Sequence, residues 1–456
     1  MPYFSVNDIP YLPDSCGYFE AIRDLPFPIW LDSGRPRSLY GRYDIISAQP
    51  SCLLRTHGEV TTITEAGSTS DHRENPFDLV ASRLAPICAQ PPKDLPFCGG
   101  ALGYFGYDLG RHLEVLPSHA TQDIALPDMH VGIYDWAIVQ DHQQKHSWLI
   151  CQPACERSLG KDLLKRCEQA ARKRSGNKFL PFNINEFQPS INANSYSESI
   201  ARIHEYIEAG DCYQVNFAQR FTADFEGDSY GAYKHLRSIL PSPFSAYMGL
   251  EEGAILSFSP ERFVQVSGRH VETKPIKGTL PRDDNPYRDQ LNADALLASK
   301  KDRAENLMIV DLLRNDLSKN CELGSVRVPS LFALESFPNV HHLVSTVTGT
   351  LNEDSTPIQL LKDSFPGGSI TGAPKLRAME IIEELELARR SVYCGSVGYI
   401  SANGNMDTNI AIRTLVNEGG KIHCWGGGGI VADSEAESEY EESLAKIRTL
   451  MEGLRQ

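Results

Sequence analysis

Residues 392–425 read VYCGSVGYISANGNMDTNIAIRTLVNEGGKIHCW, and this stretch decides the fold class. It contains three apolar segments whose β-branched and aromatic residues are typical of strands. The segments are residues 392–401, 409–417 and 421–425. The connections between them are short, with NGN at 403–405 and NEGG at 417–420. Short turns of this kind join neighbouring antiparallel strands, so we predict an antiparallel meander.

Three further segments have the pattern of helices. They are residues 304–313, 375–387 and 434–454. The first 175 residues instead contain strand-like runs such as VGIYDWAIV at 131–139, and the polar, basic residues 156–178 predict a helix before a connector. Strands and helices are grouped and do not alternate regularly as in a Rossmann fold. This grouping predicts an α+β protein.

Composition limits the possible partners. The 456 residues carry a formal net charge of −15, and the sequence pI is about 5.4. An acidic surface argues against nucleic acid and against anionic membranes as partners. The first residues lack the pattern of a signal peptide, and no stretch reaches the roughly 20 apolar residues that span a bilayer. The 11 cysteines form no CxxC pair, which indicates reduced thiols, so we expect a cytoplasmic protein.

Two glycine-rich segments and one arginine point to an anionic ligand. Residues 366–375, PGGSITGAPK, lead directly into a predicted helix, and the N–H groups at a helix start favour an oxyanion. Residues 426–429 are four consecutive glycines, where we expect a second backbone nest. Arg413 lies in an apolar strand segment, where a guanidinium needs an anionic partner. Each feature also has a structural interpretation, because glycine turns often only end elements and Arg413 could pair with an internal carboxylate.

Two pairs of carboxylates have the spacing of a single helix face. Asp302 and Glu305 form the first pair. Glu439 and Glu442 form the second, on the last predicted helix. Facing carboxylates can hold Mg²⁺, which keeps water or substrate oxygens as its other ligands. The alternative for the second pair is a solvated helix face, and we interpret residues 311–316 as a structural ion-pair network or a helix end.

One lysine and one glutamate are candidates for catalysis. Lys277 stands in the sequence TKPIKGT at 273–279, where lost solvation would lower its pKa and make it a nucleophile. Glu261 follows a run of apolar strand residues, and a half-desolvated carboxyl can act as a general acid. The alternative for both residues is an ordinary surface charge, and composition alone does not decide between the two interpretations.

Beyond these local patterns, the sequence resembles the chorismate-utilising enzyme family over nearly its whole length. The resemblance rests on seven motifs: LGYFGYD at 102–108, DCYQVN at 211–216, SPERF at 259–263, PIKGT at 275–279, AENLMIVD at 304–311, PGGSITGAPK at 366–375 and GGIVADS at 428–434. It implies an anthranilate-synthase-like α+β fold, with two packed antiparallel β-sheets and surrounding helices in a single interleaved body. It also implies an N-terminal region at 1–180 with a tryptophan-pocket segment, and a chorismate-binding catalytic region at 190–456.

Two positions indicate which reaction of the family to expect. The anthranilate synthases are similar to this chain around 275–279 but carry alanine in place of Lys277, whereas the enzymes that form aminodeoxychorismate carry the lysine. The water-using relatives have a lysine base where this chain has Gln214, and a glutamine cannot deprotonate water. The resemblance therefore implies that ammonia attacks chorismate and that the product is 4-amino-4-deoxychorismate, a precursor of 4-aminobenzoate and folate.

The resemblance also implies roles for individual residues. Lys277 would add to C2 of chorismate while Glu261 protonates the departing C4 hydroxyl, and ammonia would then enter at C4. Mg²⁺ is expected on four carboxylates, namely Glu305 and Glu442 with Asp302 and Glu439 nearby. Substrate binding is expected from Ile370, Thr371, Gly372, Arg413, Gly427, Gly428, Gly429 and Lys446, with Tyr399 and His342 lining the pocket.

The resemblance implies two further partners. No cysteine lies in the Gly-x-Cys-x-Gly-x-Gln context of class I glutamine amidotransferases, so we expect a separate amidotransferase subunit to supply ammonia. Residues 31–34, LDSG, and residues 243–245, PFS, resemble the two walls of a tryptophan pocket in this family. The tryptophan-binding residues are expected to be Ser33, Tyr40, Tyr43, Pro243 and Phe244.

Two other functions fit parts of the pattern. Anthranilate synthase component I is opposed mainly by Lys277. A non-catalytic regulatory protein that binds chorismate or tryptophan would keep the glycine turns and Arg413, but it has no use for Lys277, Glu261 and both acid pairs. The presence of all these residues favours an enzyme.

Overall fold

A computed structural model of the chain describes residues 4–38, 41–87, 95–172, 180–337 and 340–455. The α-helices are α1 (Cys16–Ile22), α2 (Pro76–Leu84), α3 (Arg157–Arg172), α4 (Ala193–Glu208), α5 (Ser229–Ile239), α6 (Pro286–Ala298), α7 (Lys300–Ser318), α8 (Pro357–Ser364), α9 (Lys375–Leu385) and α10 (Ala436–Leu454). The predicted helices at 304–313, 375–387 and 434–454 are confirmed as α7, α9 and α10. None of the helices in these ranges is long and apolar enough to cross a bilayer.

The strands pair antiparallel in two large sheets. They are β1 (Ser5–Ile9), β2 (Ile29–Asp32), β3 (Tyr43–Ser47), β4 (Cys52–His57), β5 (Val60–Glu65), β6 (Ser68–His72), β7 (Gly100–Phe105), β8 (Met129–Tyr134), β9 (Trp136–Asp141), β10 (His146–Cys151), β11 (Phe182–Ile184), β12 (Gln188–Pro189), β13 (Gln214–Gly227), β14 (Phe244–Gly249), β15 (Gly253–Ser259), β16 (Arg262–Ser267), β17 (His270–Thr273), β18 (Ile276–Pro281), β19 (Arg327–Ser336), β20 (Val340–Thr350), β21 (Gly372–Ala373), β22 (Ser396–Ser401), β23 (Met406–Asn409), β24 (Thr414–Glu418) and β25 (Lys421–Ile430).

Each sheet combines strands from the beginning and the end of the chain. The first sheet has the order β1-β10-β9-β3-β2-β14-β15-β24-β25-β13-β11, with β12 and β21 also paired to β13. The second has the order β18-β20-β17-β16-β23-β22-β7-β8-β4-β5-β6, with β19 paired to β20. In the first sheet β2 pairs with β14, and in the second β7 pairs with β22. The predicted fold class, a single interleaved α+β body with two antiparallel sheets, is confirmed.

The largest hydrophobic core lies between the sheets. It joins Ile45 and Ile255 of the first sheet to Leu102 and Val264 of the second. A second cluster fills the other face of the first sheet, where side chains of α1, α3, α5 and α10 belong to one core with the fully buried Trp30. Removal of this apolar surface from water is the main force that holds the layers together.

Two of the places where the chain crosses between the sheets lie next to each other. Strands β15 and β24 belong to the first sheet, whereas β16 and β23, which adjoin them in the chain, belong to the second. The crossing segments are therefore residues 259–261 and 410–413. The predicted single strand at 409–417 is wrong, because these residues form the end of β23, a crossing and the start of β24.

Hydrogen bonds tie the two crossing segments together. The Ser259 hydroxyl donates to the Ile410 carbonyl at 2.6 Å, and the Ile410 N–H donates to the Glu261 carbonyl at 3.0 Å. At the far end, the Phe258 N–H donates to the carbonyl of Arg413 at 3.0 Å. These bonds satisfy backbone groups that the interrupted strands leave without ladder partners.

The four glycines at 426–429 form part of β25 and pair with β13, so the predicted second nest is wrong. A Cβ at Gly426 would collide with the carbonyl oxygen of Ser443 on α10, and one at Gly427 would collide with the carbonyl oxygen of Phe217 on β13. The glycines are needed here because strand and helix backbones approach closely.

Candidate active site

Lys277 lies at an irregularity in strand β18. The register against β20 shifts between Ile276 and Thr279, which leaves one extra residue on β18. Gly278 adopts φ +78°, and a Cβ at this position would lie 2.8 Å from Cγ of Asp302. Such a bulge re-aims the neighbouring side chain, and glycine allows the left-handed conformation without strain. The PIKGT motif therefore has a structural reason for glycine directly after the lysine.

Ser369 joins Lys277 to Glu261. The Lys277 Nζ donates to the carbonyl oxygen of Ser369 at 3.3 Å, and the Ser369 side chain lies close enough to Glu261 to favour its ionised form and so lower its pKa. Glu261 is buried, with 5% of its surface exposed. The two functional groups therefore share one interior site, formed where a crossing segment meets the bulge of β18.

The pKa values of this pair are shifted towards their neutral forms. Burial lowers the pKa of Lys277 although Glu305 and Glu261 oppose the change. Burial raises the pKa of Glu261 to about 7 although Lys277 opposes it. Desolvation disfavours the charged form of each group, and here it outweighs the neighbouring charges. A neutral lysine and a protonated carboxyl are the states that a nucleophile and a general acid require.

Arg413 contributes a cation whose charge acts on Glu261 and His342. Its backbone has φ +50°, and its guanidinium forms no hydrogen bond or ion pair with any residue of the described ranges. The one carboxylate that acts on its pKa is Glu261, whereas burial lowers that pKa. Next to it, burial and the charge of Arg413 lower the pKa of His342 to about 4, so this imidazole is neutral at pH 7. His342 Nδ1 lies 2.8 Å from the Thr279 hydroxyl.

The predicted metal carboxylates approach one another from two helices. A Cβ at Gly428 would lie 3.2 Å from Oε2 of Glu439 and 3.8 Å from Oε1 of Glu442, so both acids of α10 lie over β25. Burial raises the pKa of Glu305 on α7, and the charges of Asp302 and Glu439 raise it further. Carboxylates from α7 and α10 therefore repel one another within one site.

Lysines pair with both acids of α10. Lys301 Nζ lies 3.1 Å from Oε1 of Glu439, whose side chain is 3% exposed and also accepts a hydrogen bond from Ser434. Lys446 Nζ lies 2.7 Å from Oε1 of Glu442 and donates to the Gly427 carbonyl.

Three lysines hold the pKa of Glu442 low. Burial alone would raise that pKa, but Lys446, Lys301 and Lys277 together keep it below its usual value. With the side chains in this arrangement, no three His, Cys, Asp or Glu residues of the described ranges converge closely enough to hold a metal ion.

Two backbone segments and one amide complete the site. The turn that contains Ile370, Thr371 and Gly372 is held against β13, because β21 pairs with Gln214 and Val215. Gln214 is buried, and neither atom of its amide has a hydrogen-bond partner in the described part of the chain. Its Nε2 lies where a Cβ of Gly429 would be. A buried amide without partners is costly, so the arrangement suits a polar ligand at this point.

The structure places Tyr399 apart from this site. Tyr399 lines a separate cavity of about 420 Å³ between the sheets, together with Tyr43, Pro243 and Phe244. This position does not support the predicted role of Tyr399 beside Lys277. Alternate residues of a strand face opposite sides of a sheet, and the Tyr399 side chain faces the cavity.

Two other predicted residues of the tryptophan pocket have different outcomes. Ser33 is absent from the wall of the cavity, and its hydroxyl donates to Asp44 at 2.5 Å. Tyr40 lies outside the described residues.

Two residues of the site were missed by the sequence analysis. Ser369 stands inside the PGGSITGAPK motif, and a hydroxyl between the glycines was the available signal. Lys301 directly precedes Asp302, but only the fold brings it to Glu439 on a helix more than 130 positions later.

The fold and this site define a class of enzyme. The chain matches the sequence model of the chorismate binding enzymes over residues 27–452 and belongs to that family. It is 48% identical to aminodeoxychorismate synthase component 1 of Klebsiella aerogenes, over 98% of both chains. It is 46% identical to the protein of the same name from Salmonella typhimurium, over 99% of this chain and 98% of the relative. Anthranilate synthase component 1 of Acetivibrio thermocellus is 34% identical, over 93% of this chain and 89% of the relative.

Solved structures have the same fold. Anthranilate synthase component I from Streptococcus pneumoniae superposes with a TM-score of 0.79 at 31% identity, covering 91% of this chain and 93% of that chain. The menaquinone-specific isochorismate synthase from Escherichia coli superposes with a TM-score of 0.73 at 19% identity, covering 100% and 95%. The second comparison bears on the fold alone.

Proposed function

We propose that this chain is the chorismate-aminating component of an aminodeoxychorismate synthase, which converts chorismate and ammonia to 4-amino-4-deoxychorismate. The observation that supports this most directly is the pair of Lys277 and Glu261, whose pKa values shift in the directions that their roles require. The resemblance described above also implies that Lys277 separates this branch from the anthranilate synthases, for which alanine is expected in its place.

The first half of the reaction uses both members of the pair. The neutral Lys277 amine attacks C2 of chorismate, the ring double bonds shift, and the C4 hydroxyl leaves as water with a proton from Glu261. Arg413 binds a carboxylate of the substrate, because its guanidinium has no other anion in contact within the described ranges. The neutral state of His342 adds no competing charge beside Arg413.

In the second half ammonia adds at C4, the double bonds return, and the C2–nitrogen bond to Lys277 breaks. The enolpyruvyl ether remains intact. Gln214 supplies a polar amide but no base, which suits a nucleophile that needs no deprotonation before attack. Ammonia meets this condition at neutral to alkaline pH, whereas water does not.

Magnesium is the expected cofactor, and carboxylates are ligands that it prefers. Burial raises the pKa of Glu305 and the charges of Asp302 and Glu439 raise it further, so a divalent cation beside these acids would favour the ionised carboxylate. We propose that Glu305 and Glu442 hold Mg²⁺, with Asp302 and Glu439 nearby. When bound, the metal orients the ring carboxylate of chorismate and offsets its negative charge.

We further propose two partners. A glutamine amidotransferase subunit supplies ammonia, consistent with the relatives' designation as component 1. Tryptophan occupies the 420 Å³ cavity lined by Tyr43, Pro243 and Phe244. Calorimetry with tryptophan tests the second proposal: saturable binding that is weakened by Phe244→Ala supports it, and no heat above dilution contradicts it.

The decisive experiment is product identification. The purified chain is incubated with chorismate, Mg²⁺ and an ammonium salt near pH 8.5, and products are analysed by mass and fluorescence. We expect a product that retains the pyruvyl group and yields 4-aminobenzoate only after a lyase is added. Fluorescent anthranilate with free pyruvate would assign the chain to the anthranilate branch. Tight chorismate binding without turnover would favour a regulatory protein.

A further inference from the structure

Lys301 occupies a distinctive position among the carboxylates of the site. Its ammonium lies 3.1 Å from Oε1 of Glu439, and the charges of Glu305 and Glu442 also act on it. The charges of three of the four proposed metal ligands therefore act on this one ammonium. Lys301 is the second residue of α7, and about half of its side chain is exposed.

Glu439 is a buried carboxylate that pairs with the Lys301 ammonium. Its side chain is only 3% exposed, and besides the ion pair it accepts one hydrogen bond, 2.7 Å long, from Ser434. A buried carboxylate without a counter-charge is destabilising, so a site without metal is best neutralised from within the chain. Lys301 can meet this need and also withdraw, since its long side chain reaches solvent from the edge of the site.

We infer that Lys301 is the resident counter-ion of this carboxylate cluster, and that a divalent cation binds by displacing its ammonium from Glu439. The inference rests on the magnesium site of the proposed function. The lysine would keep the metal-free protein folded, and it would reduce metal affinity because the cation must compete with a charge already in place.

The test measures metal binding, independently of turnover. The full-length chain is freed of metal with a chelator, and the dissociation constant of Mg²⁺ is measured by calorimetry, with Mn²⁺ as a paramagnetic probe. We expect Lys301→Gln to bind either ion about tenfold more tightly or better, since one positive charge is removed a few ångströms from the cation. Lys300→Gln makes the same charge change at the adjacent exposed position, and we expect its affinity to stay within about twofold of wild type.

A second measurement follows the Lys301 ammonium in the wild-type chain, and a charge-conserving variant serves only for its assignment. Lysines are reductively methylated with ¹³C-formaldehyde, and the Lys301 resonance is assigned by its loss in Lys301→Arg. Saturating Mg²⁺ should shift this resonance and leave that of Lys300 in place.

The outcomes separate the two proposals. Equal Mg²⁺ affinity in wild type and Lys301→Gln would overturn the counter-ion role while leaving the metal site intact. A Lys301 resonance that does not shift when Mg²⁺ is added would do the same. Absence of binding in every variant would overturn the metal site itself, and with it the role of Lys301.

Discussion

At the scale of single residues, the proposed chemistry depends on a balance between burial and charge. Lys277 is surrounded by carboxylates that favour its ammonium form, yet burial is the larger effect and lowers its pKa. The same burial raises the pKa of Glu261. The sequence could identify both residues as candidates, but it could not decide the balance, because the number of neighbours that exclude water depends on the assembled fold.

Lys277→Ala should abolish amination at C4 while chorismate still binds. The variant removes the proposed nucleophile but leaves Arg413 and the acidic residues in place. Product analysis measures the first effect, and calorimetry with chorismate measures the second. Lys274→Ala is the matched control, since Lys274 is a nearby lysine that pairs with Glu335 and has no proposed role in the reaction. Full activity in Lys277→Ala would refute the nucleophile assignment.

The proposed acid makes the reaction dependent on pH. Amination needs a neutral lysine and a protonated Glu261, so kcat/KM for chorismate should fall at low pH as Lys277 becomes charged. It should also fall on the alkaline side as the Glu261 carboxyl, with a pKa raised to about 7, loses its proton. Because the groups interact, the two apparent pKa values belong to the pair.

Glu261→Gln should lower kcat by about 10²- to 10⁴-fold, the usual contribution of a general acid. The alkaline limb of the profile should disappear with the carboxyl. A pH–rate series of wild type and variant under identical ammonia concentrations measures both effects. An unchanged alkaline limb in the variant would assign that limb to another group.

At the scale of elements, strand β25 shows why glycines are required at the site. Gly427 faces the backbone of Phe217, which cannot move without breaking the β13–β25 pairing. Gly428 instead faces the ends of flexible side chains, with Oε2 of Glu439 at 3.2 Å and Nζ of Lys446 at 3.4 Å. Adjacent glycines therefore serve different purposes.

Gly427→Ala should lower the free energy of unfolding by more than about 2 kcal/mol, since the new methyl group forces two strands apart. Gly428→Ala should cost about 1 kcal/mol or less in stability but weaken Mg²⁺ binding and activity, because the methyl group displaces the acids. Denaturant unfolding and metal calorimetry on both variants measure this difference. If Gly427→Ala and Gly428→Ala lost the same stability, the side chains of Glu439 and Glu442 would be unable to move away from the new methyl group.

The elements could be predicted only in part from the sequence. Helices α7, α9 and α10 can be predicted from the spacing of their apolar residues and from the residues that begin and end them, which are local signals. The break of the segment 409–417 was missed because its apolar residues at 410–412 and 415–416 give the same local signal whether the chain stays in one sheet or crosses between two. The prediction of a nest at the glycines 426–429 fails for a similar reason. The local sequence shows that these residues are conformationally free, but it does not show that the backbones of β13 and α10 approach them.

At the scale of the whole molecule, neither half of the chain has a complete sheet. Strand β14 pairs with β2, and β22 pairs with β7, so residues 190–456 alone would expose long strand edges in both sheets. Exposed edges and an uncovered core favour aggregation over folding.

Residues 190–456 expressed alone should therefore fail to fold cooperatively, with a weak near-ultraviolet circular dichroism signal and strong binding of a hydrophobic dye. Co-expression with residues 1–180 should restore a soluble complex, because the two pieces together supply all the strands except the short β11 and β12. Sharp thermal unfolding of the isolated 190–456 piece would show that the catalytic region is an independent domain.

The paired crossings at 259–261 and 410–413 have a consequence for heat tolerance. Glu261 lies on one crossing and Arg413 on the other, so the spacing of acid and cation is set by the joint between the sheets. A small slip at that joint would disable turnover while both sheets remained intact. Substitutions that improve packing in the hydrophobic cores away from these crossings could thus raise the melting temperature without raising the temperature at which catalysis stops. A more heat-stable activity would require substitutions at the crossings themselves.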